Sequence, residues 1–138
     1  MTPEAIRKLL QSSSFALLAR ILLTLPFWMS GLVKLIDFNG GVAEMEHYGF
    51  FPGTAFNLAT IIVQLGGSFL VIINRLTWLG AGALGVFTGL TILLVHNFWA
   101  ISDGSEKVHM FFALEHIGMI GGLILASILG ERSNARAA

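Results

Sequence analysis

The chain contains no cysteine, which removes disulfides, thiolate metal ligation, iron–sulfur clusters and thiol nucleophiles together. Charge is scarce as well: Asp, Glu, Lys and Arg make up 12% of the 138 residues, against roughly 25% in soluble domains. The eight basic residues only balance the eight acidic ones. No positive surplus is left to neutralise a nucleic-acid backbone, so nucleic acid is not an expected partner. Also missing are a glycine-rich phosphate loop, a nucleophile elbow and a carboxylate pair suited to hydrolysis. What is present is apolar. Hydrophobic residues reach 55% and the mean hydropathy is +0.80, values that point to the bilayer rather than to water. The 16 glycines exceed what loops need and suit close helix packing in lipid.

A membrane span needs about 20 mostly apolar residues. Four windows meet that length: about 15–36, 54–73, 76–98 and 110–129. The expected fold is therefore all-α, an integral membrane four-helix bundle forming a single domain over 1–138, with residues 130–138 as a mobile tail. Only Asn74-Arg75 separates the second and third windows, so those helices are expected to be antiparallel neighbours. The connection from Asp37 to Gly53 carries Gly40-Gly41, then Ala43 to Tyr48, then Gly49 and Pro52. It reads as a turn, a short interfacial helix or re-entrant segment, and a second turn. Arg7, Lys8, Arg75, Arg132 and Arg136 fall on one side of the bundle, which by the positive-inside rule is cytoplasmic and holds both termini. The first apolar stretch is too long for a cleavable signal and is expected to stay as the first span.

Polar side chains inside a span usually face the bundle interior, so their helical phase is informative. Arg20, Thr24, Phe27, Gly31 and Lys34 share one face of the first span, with Arg20 and Lys34 about 21 Å apart along it; snorkelling of either to the headgroups is the plainer alternative. Thr60, Gln64, Gly67 and Ser68 form the stripe of the second span. In the third, Gly82, Gly85, Gly89 and His96 share a face on which Gly85 and Gly89 make a small-xxx-small pair. In the fourth, Glu115, Gly118, Gly122 and Ala126 form a similar ridge, which turns Glu115 inward. His116 belongs with His109, Met119, Ile120 and Leu123 on a face about 100° away. Spans one and three run outward and two and four inward. This brings Lys34, His96, Glu115 and His116 to similar heights in the outer half, with Gln64 deeper and His47 able to fold down from the first connection. Glu115 is then expected to be protonated, or paired with Lys34 or a histidine.

Two readings of this cluster stand. One is a quinone site, in which His96 or His116 with Glu115 hydrogen-bonds the ring oxygens and exchanges protons between walls made by Phe98, Trp99, Phe111 and Phe112. The other is a structural polar network that fixes helix register. Haem and metal are disfavoured, because no His-x-x-x-His pair is present, the Glu-x-x-His pairs Glu44–His47 and Glu106–His109 fall in the connections rather than on a span face, and His109 and His116 lie two turns apart. A proton or small-solute path from Arg20 through Gln64 to Lys34 is opposed by two fixed positive charges.

The order of motifs also carries a resemblance. Arg20 in the first span is followed by Ser30-Gly31-Leu32-Val33-Lys34-Leu35 and Asp37-Phe38. Then come Gly49-Phe50-Phe51-Pro52, Gln64-Leu65-Gly66-Gly67 and finally Gly121-Gly122. Together these resemble the DoxX family, over roughly Ala19 to Leu129. The resemblance implies a small four-helix protein of the bacterial inner membrane, associated with quinone-dependent respiratory electron transfer. It also implies a larger membrane complex or a homo-oligomer as partner, with Arg20, Lys34, Gln64 and His96 as the positions matching the family's polar pattern. Two departures stand out. The family commonly has Glu where this chain has Gln64, and a Lys-Asn type pair where it has Glu115-His116. A non-catalytic assembly subunit, docking through its glycine ridges, is the alternative.

Overall fold

A computed structural model of the chain describes residues 2–137, and among these all regular structure is helical. The helices are α1 (Glu4–Leu10), α2 (Ser13–Ile36), α3 (Phe38–His47), α4 (Gly53–Ile72), α5 (Thr77–Leu94) and α6 (Glu106–Ala137). Four of them, α2, α4, α5 and α6, are long and apolar enough to cross a membrane. At 1.5 Å per residue the 24 residues of α2 reach about 36 Å, more than the hydrocarbon core requires.

The helix ends are set by local chemistry. Ser12 caps α2, its hydroxyl accepting from the Phe15 amide at 3.4 Å. Asp37 both ends α2 and caps α3, where its carboxylate accepts from the Gly40 amide at 3.0 Å. The α3 segment closes with Gly49 at φ +81°; the Phe50 amide returns to the Met45 carbonyl and the Gly49 amide to that of Glu46, at 2.9 and 3.0 Å. This paired pattern needs a left-handed residue, which glycine supplies without strain. The same device ends α4, with Asn74 in the left-handed position (φ 57°) and the Arg75 amide bonded to the Leu70 carbonyl. The expected tight turn at Asn74-Arg75 is thus a helix terminator that sends α5 back along α4.

Two boundaries differ from the sequence reading. The third span stops at Leu94 rather than at 98, because the Val95 and His96 amides both turn onto the Thr91 carbonyl. Residues 130–137, read from sequence as tail, continue α6 as helix, and Ala138 lies outside the described residues. The extension is docked. Gly130 packs against the α4–α5 turn, where a Cβ would come within 2.9 Å of the Asn74 side chain, and the Asn134 amide donates to the Asn74 carbonyl at 3.5 Å.

Within the bundle α4 packs against α2, α3 and α5, while α6 lies along α5 and touches α2 at only a few points. The α4–α5 seam is close at one crossing. A Cβ at Gly80 would sit 2.6 Å from the Gly67 carbonyl oxygen, so only glycine there lets the two backbones approach this closely. Val71, Leu84 and Leu123 are fully buried with Phe27 and Ala81 in a core that fills the half of the bundle nearer the chain termini. The other half is not filled.

Candidate functional site

The inward stripe of α2 carries Thr24, Phe27, Gly31 and Lys34, and that of α4 carries Thr60, Gln64, Gly67 and Ser68, all buried. Apart from Arg20, which is only half-buried, both stripes match the sequence reading, because on these helices the polar and small residues recur with a single phase. The helices α5 and α6 are apolar on most sides, and there glycine spacing misleads. The buried positions of α5 are Thr77, Gly80, Ala81, Leu84 and Thr88, one residue and so about 100° from the expected Gly82–Gly85–Gly89 ridge. Gly82, Gly85 and Gly89 face open space. The α6 ridge is likewise rotated: Ala113 and Leu123 are buried, Gly118 has open space beside it, and Gly122 abuts Leu23. The face first placed second, with His116, Met119 and Leu123, is the inward one.

That Leu23–Gly122 contact is where α6 meets α2. Beyond it, away from the core, the helices enclose a cavity of about 690 Å³ floored by Phe27, Val63, Phe87 and Met119. Lys34, Gln64, His96, Glu115 and His116 all line it. So do Glu44, Tyr48 and Phe50 from α3 and the turn after it, which closes one end. The aromatic walls are not the expected ones. Of the four named from sequence only Phe112 lines the cavity, joined by Phe27, Phe50, Phe56 and Phe87. Phe98 and Trp99 meet edge to face at 5.1 Å, and Trp99 and Phe111 are exposed. Arg20 is half-buried, does not line the cavity, and its Nε has no partner among the described residues. His47 is exposed and packs edge-on against Tyr48 rather than folding inward.

Each polar group has a distinct setting. Lys34 is 8% exposed, and its ammonium pairs with the Glu44 carboxylate, not with Glu115. The partner comes from α3, held about two turns past Asp37, which fixes the carboxylate over the end of α2. Gln64 is 4% exposed; its amide nitrogen donates to the Ser30 hydroxyl at 3.2 Å and its carbonyl oxygen has no partner among the described residues. An unpartnered buried carbonyl costs about 1–3 kcal/mol unless a ligand or water satisfies it. Glu115 is more exposed than expected, at the cavity rim, with no ion pair among the described residues.

His96 is carried by the loop after α5 rather than by a helix face. Its ring lies 5.0 Å from that of His116, edge to face, and 5.2 Å from that of Phe112. Its Nδ1 is 3.2 Å from the Nδ1 of His109. Burial, and secondarily the nearby His116 and His109, push the His96 imidazole below its ordinary value. His116 Nδ1 lies 2.7 Å from the Phe112 carbonyl, which makes that nitrogen the donor and leaves Nε2 unprotonated in the neutral ring. Three imidazoles thus meet at the mouth of the cavity. Among the described residues no group of three or more histidine and acidic side chains is arranged to hold a metal ion. His109 was not among the residues singled out for the site, although its spacing of seven from His116 already placed both on one stripe.

These four apolar spans around a polar-lipped cavity define a multi-pass membrane protein. The DoxX family model matches residues 15–97, which takes in α2 to α5 and ends just past His96. The chain belongs to the DoxX family. No curated protein and no solved structure matches it. The family match stops before α6, so Glu115 and His116 lie outside it, whereas the resemblance read from sequence ran on to Leu129.

Proposed function

We propose that this DoxX-family protein binds a quinone, or a similarly flat lipid-like redox ligand, in the cavity, as a subunit associated with respiratory electron transfer. The observation that carries the reading is the unpartnered Gln64 carbonyl oxygen inside a mainly apolar chamber. Such a chamber accepts an apolar ring, and its few convergent polar groups orient the ring oxygens. Gln64 and Lys34 hold the ligand in this scheme, while His96, Glu115 and His116 exchange protons with it. Loss of family-typical Glu at Gln64 moves proton exchange to the histidine side. The basic residues near the termini and at Arg75 support cytoplasmic ends in a bacterial inner membrane, and with that orientation the cavity would lie in the outer leaflet.

The test is titration of a short-chain ubiquinone analogue into the protein in nanodiscs, with Gln64→Leu and Glu115→Ala as variants. Losing one buried hydrogen bond of about 1.4 kcal/mol weakens binding about tenfold. Equal quinone binding, or equal co-purified quinone, in wild type and both variants overturns the assignment.

One observation favours a second reading, an assembly subunit of a larger membrane complex or a homo-oligomer: Gly82, Gly85 and Gly89 present a flat outward face with nothing over it. Under that reading Gly85→Leu breaks association with partner helices and leaves quinone binding intact.

A further inference from the structure

Of the four histidines, His109 has no role in the scheme above, yet it makes a side-chain hydrogen-bond contact with His96, Nδ1 to Nδ1 at 3.2 Å. Two neutral imidazoles can approach in this way only if one Nδ1 carries a proton and the other does not. The contact is then an N–H···N hydrogen bond, and each ring keeps its Nε2 for a partner elsewhere. His96 lines the cavity. His109 stands in the first turn of α6, its amide bonded to the Ser105 carbonyl, directly after the polar loop that holds Asp103. Asp103 is fully exposed and its carboxyl is held below the ordinary range. The Ser105 hydroxyl and amide are the main cause, and the charge of His109 adds a smaller part. An ionised carboxylate in water therefore stands near one imidazole, and the cavity near the other.

We propose that His109 and His96 form a two-imidazole proton relay between the aqueous loop 95–105 and the cavity. The step balances ring by ring. His109, starting with its proton on Nδ1, takes a proton from water at Nε2 and passes the Nδ1 proton to His96 Nδ1. His96, starting with its proton on Nε2, releases that proton into the cavity. Both rings end neutral with their tautomers exchanged, and ring rotation or the reverse transfer restores the start.

The other ionisable groups around the pair set the direction. His116 and Glu115 on α6 and the Lys34–Glu44 pair from α2 and α3 line the same cavity, while α4 and α5 carry no ionisable side chain. Glu115, with no ion pair among the described residues, is the acceptor on the cavity side. The relay extends the reading of the cavity as a place of proton-coupled ligand chemistry, but its test is read on the imidazoles themselves.

Histidine-selective ¹⁵N labelling and solid-state NMR of the whole protein in lipid bilayers provide that test, with His109→Gln and His109→Phe as variants. The expected result in wild type is a ¹⁵N–¹⁵N coupling across the His96–His109 bond and exchange of His96 between its two tautomers. Both signals are lost in each variant. Wild-type spectra in which both rings are fixed Nε2–H tautomers without coupling overturn the relay, as does unchanged His96 exchange in His109→Phe. Wild-type spectra need no variant to fold. Quinone titration of the same samples reports separately on the ligand reading: the relay stands if the coupling is present and no quinone binds, and falls if quinone binds and the coupling is absent.

Discussion

The Lys34–Glu44 pair joins a buried end to a half-exposed one, the lysine side chain being 10% exposed and the glutamate 48%. This asymmetry fixes what its removal costs. Removing one partner of a fully buried pair costs about 3–5 kcal/mol, because the other charge is left without water, whereas an exposed pair is worth about 0.2–1 kcal/mol. In Glu44→Gln the stranded charge is the buried ammonium, but water reaches it from the side the carboxylate occupied, so the expected loss is about 2 kcal/mol. Lys34→Met strands only a carboxylate already half in water and costs less than about 1 kcal/mol. The double variant leaves no stranded charge and returns close to Lys34→Met alone, giving a coupling energy of about 1–2 kcal/mol. Helical signal followed through denaturant titration in bicelles measures all four corners. The reasoning is refuted if Glu44→Gln is as mild as a surface change, about 0.5 kcal/mol, or if the two single effects simply add.

Gly80→Ala would set a Cβ 2.6 Å from the backbone oxygen of Gly67 and should cost about 2–3 kcal/mol as α4 and α5 separate. Gly82→Ala, with open space around it, should be neutral or gain up to about 1 kcal/mol in helix propensity; equal effects in the two variants would remove the assigned seam. The depressed His96 imidazole predicts a pH dependence. Its folded value lies below the ordinary 6.5, so the unfolded chain binds the proton first as pH falls. The stability contribution is fully present above about pH 6.5 and is lost as pH falls through the folded value. Thermal unfolding in bilayers between pH 7.5 and 5 should show this decline, and His96→Gln should flatten it.

The spans were legible because length and hydropathy are local properties, and α2 and α4 could be phased because their few polar residues repeat with one period. Lys34 and Gln64 follow from that phase directly. On α5 the glycines at 80, 82, 85 and 89 occupy two faces, and nothing local distinguishes Gly80, which meets Gly67, from Gly85, which meets nothing. The neighbour decides. The same holds for Glu44: its charge and exposed segment suggested no intramembrane partner, and only the Asp37 cap, which folds α3 back over α2, brings it to Lys34. The helical end of α6 also depends on a distant group, the Asn74 carbonyl that receives Asn134. Hydropathy counts those residues as tail because it cannot weigh a polar contact across sixty positions of chain.

The division of the bundle into a filled and an open half explains why a polar cluster can exist in it at all. Val71, Leu84 and Leu123 at 0–1% exposure, together with the Gly67–Gly80 approach, hold the helices together in the half near the termini. There the buried cluster is wholly apolar, and Arg20 at its edge is only half-buried. The open half contributes little packing, so it can carry Lys34, Gln64 and three imidazoles without weakening that core. It then needs other fastenings, and these are polar: Lys34 to Glu44, Asn57 to the Phe38 carbonyl at 3.2 Å, and Gln64 to Ser30. Each links two of α2, α3 and α4, and none of them reaches α6. The wall carrying Glu115 and His116 is held instead by the packing of α6 along α5, and its seam with α2 is sparse. A neutral Gln64 fits this arrangement. Tied to Ser30 it keeps α2 and α4 in register, whereas an ionised carboxylate at the same depth would require a cation, and the nearest lysine is already committed to Glu44.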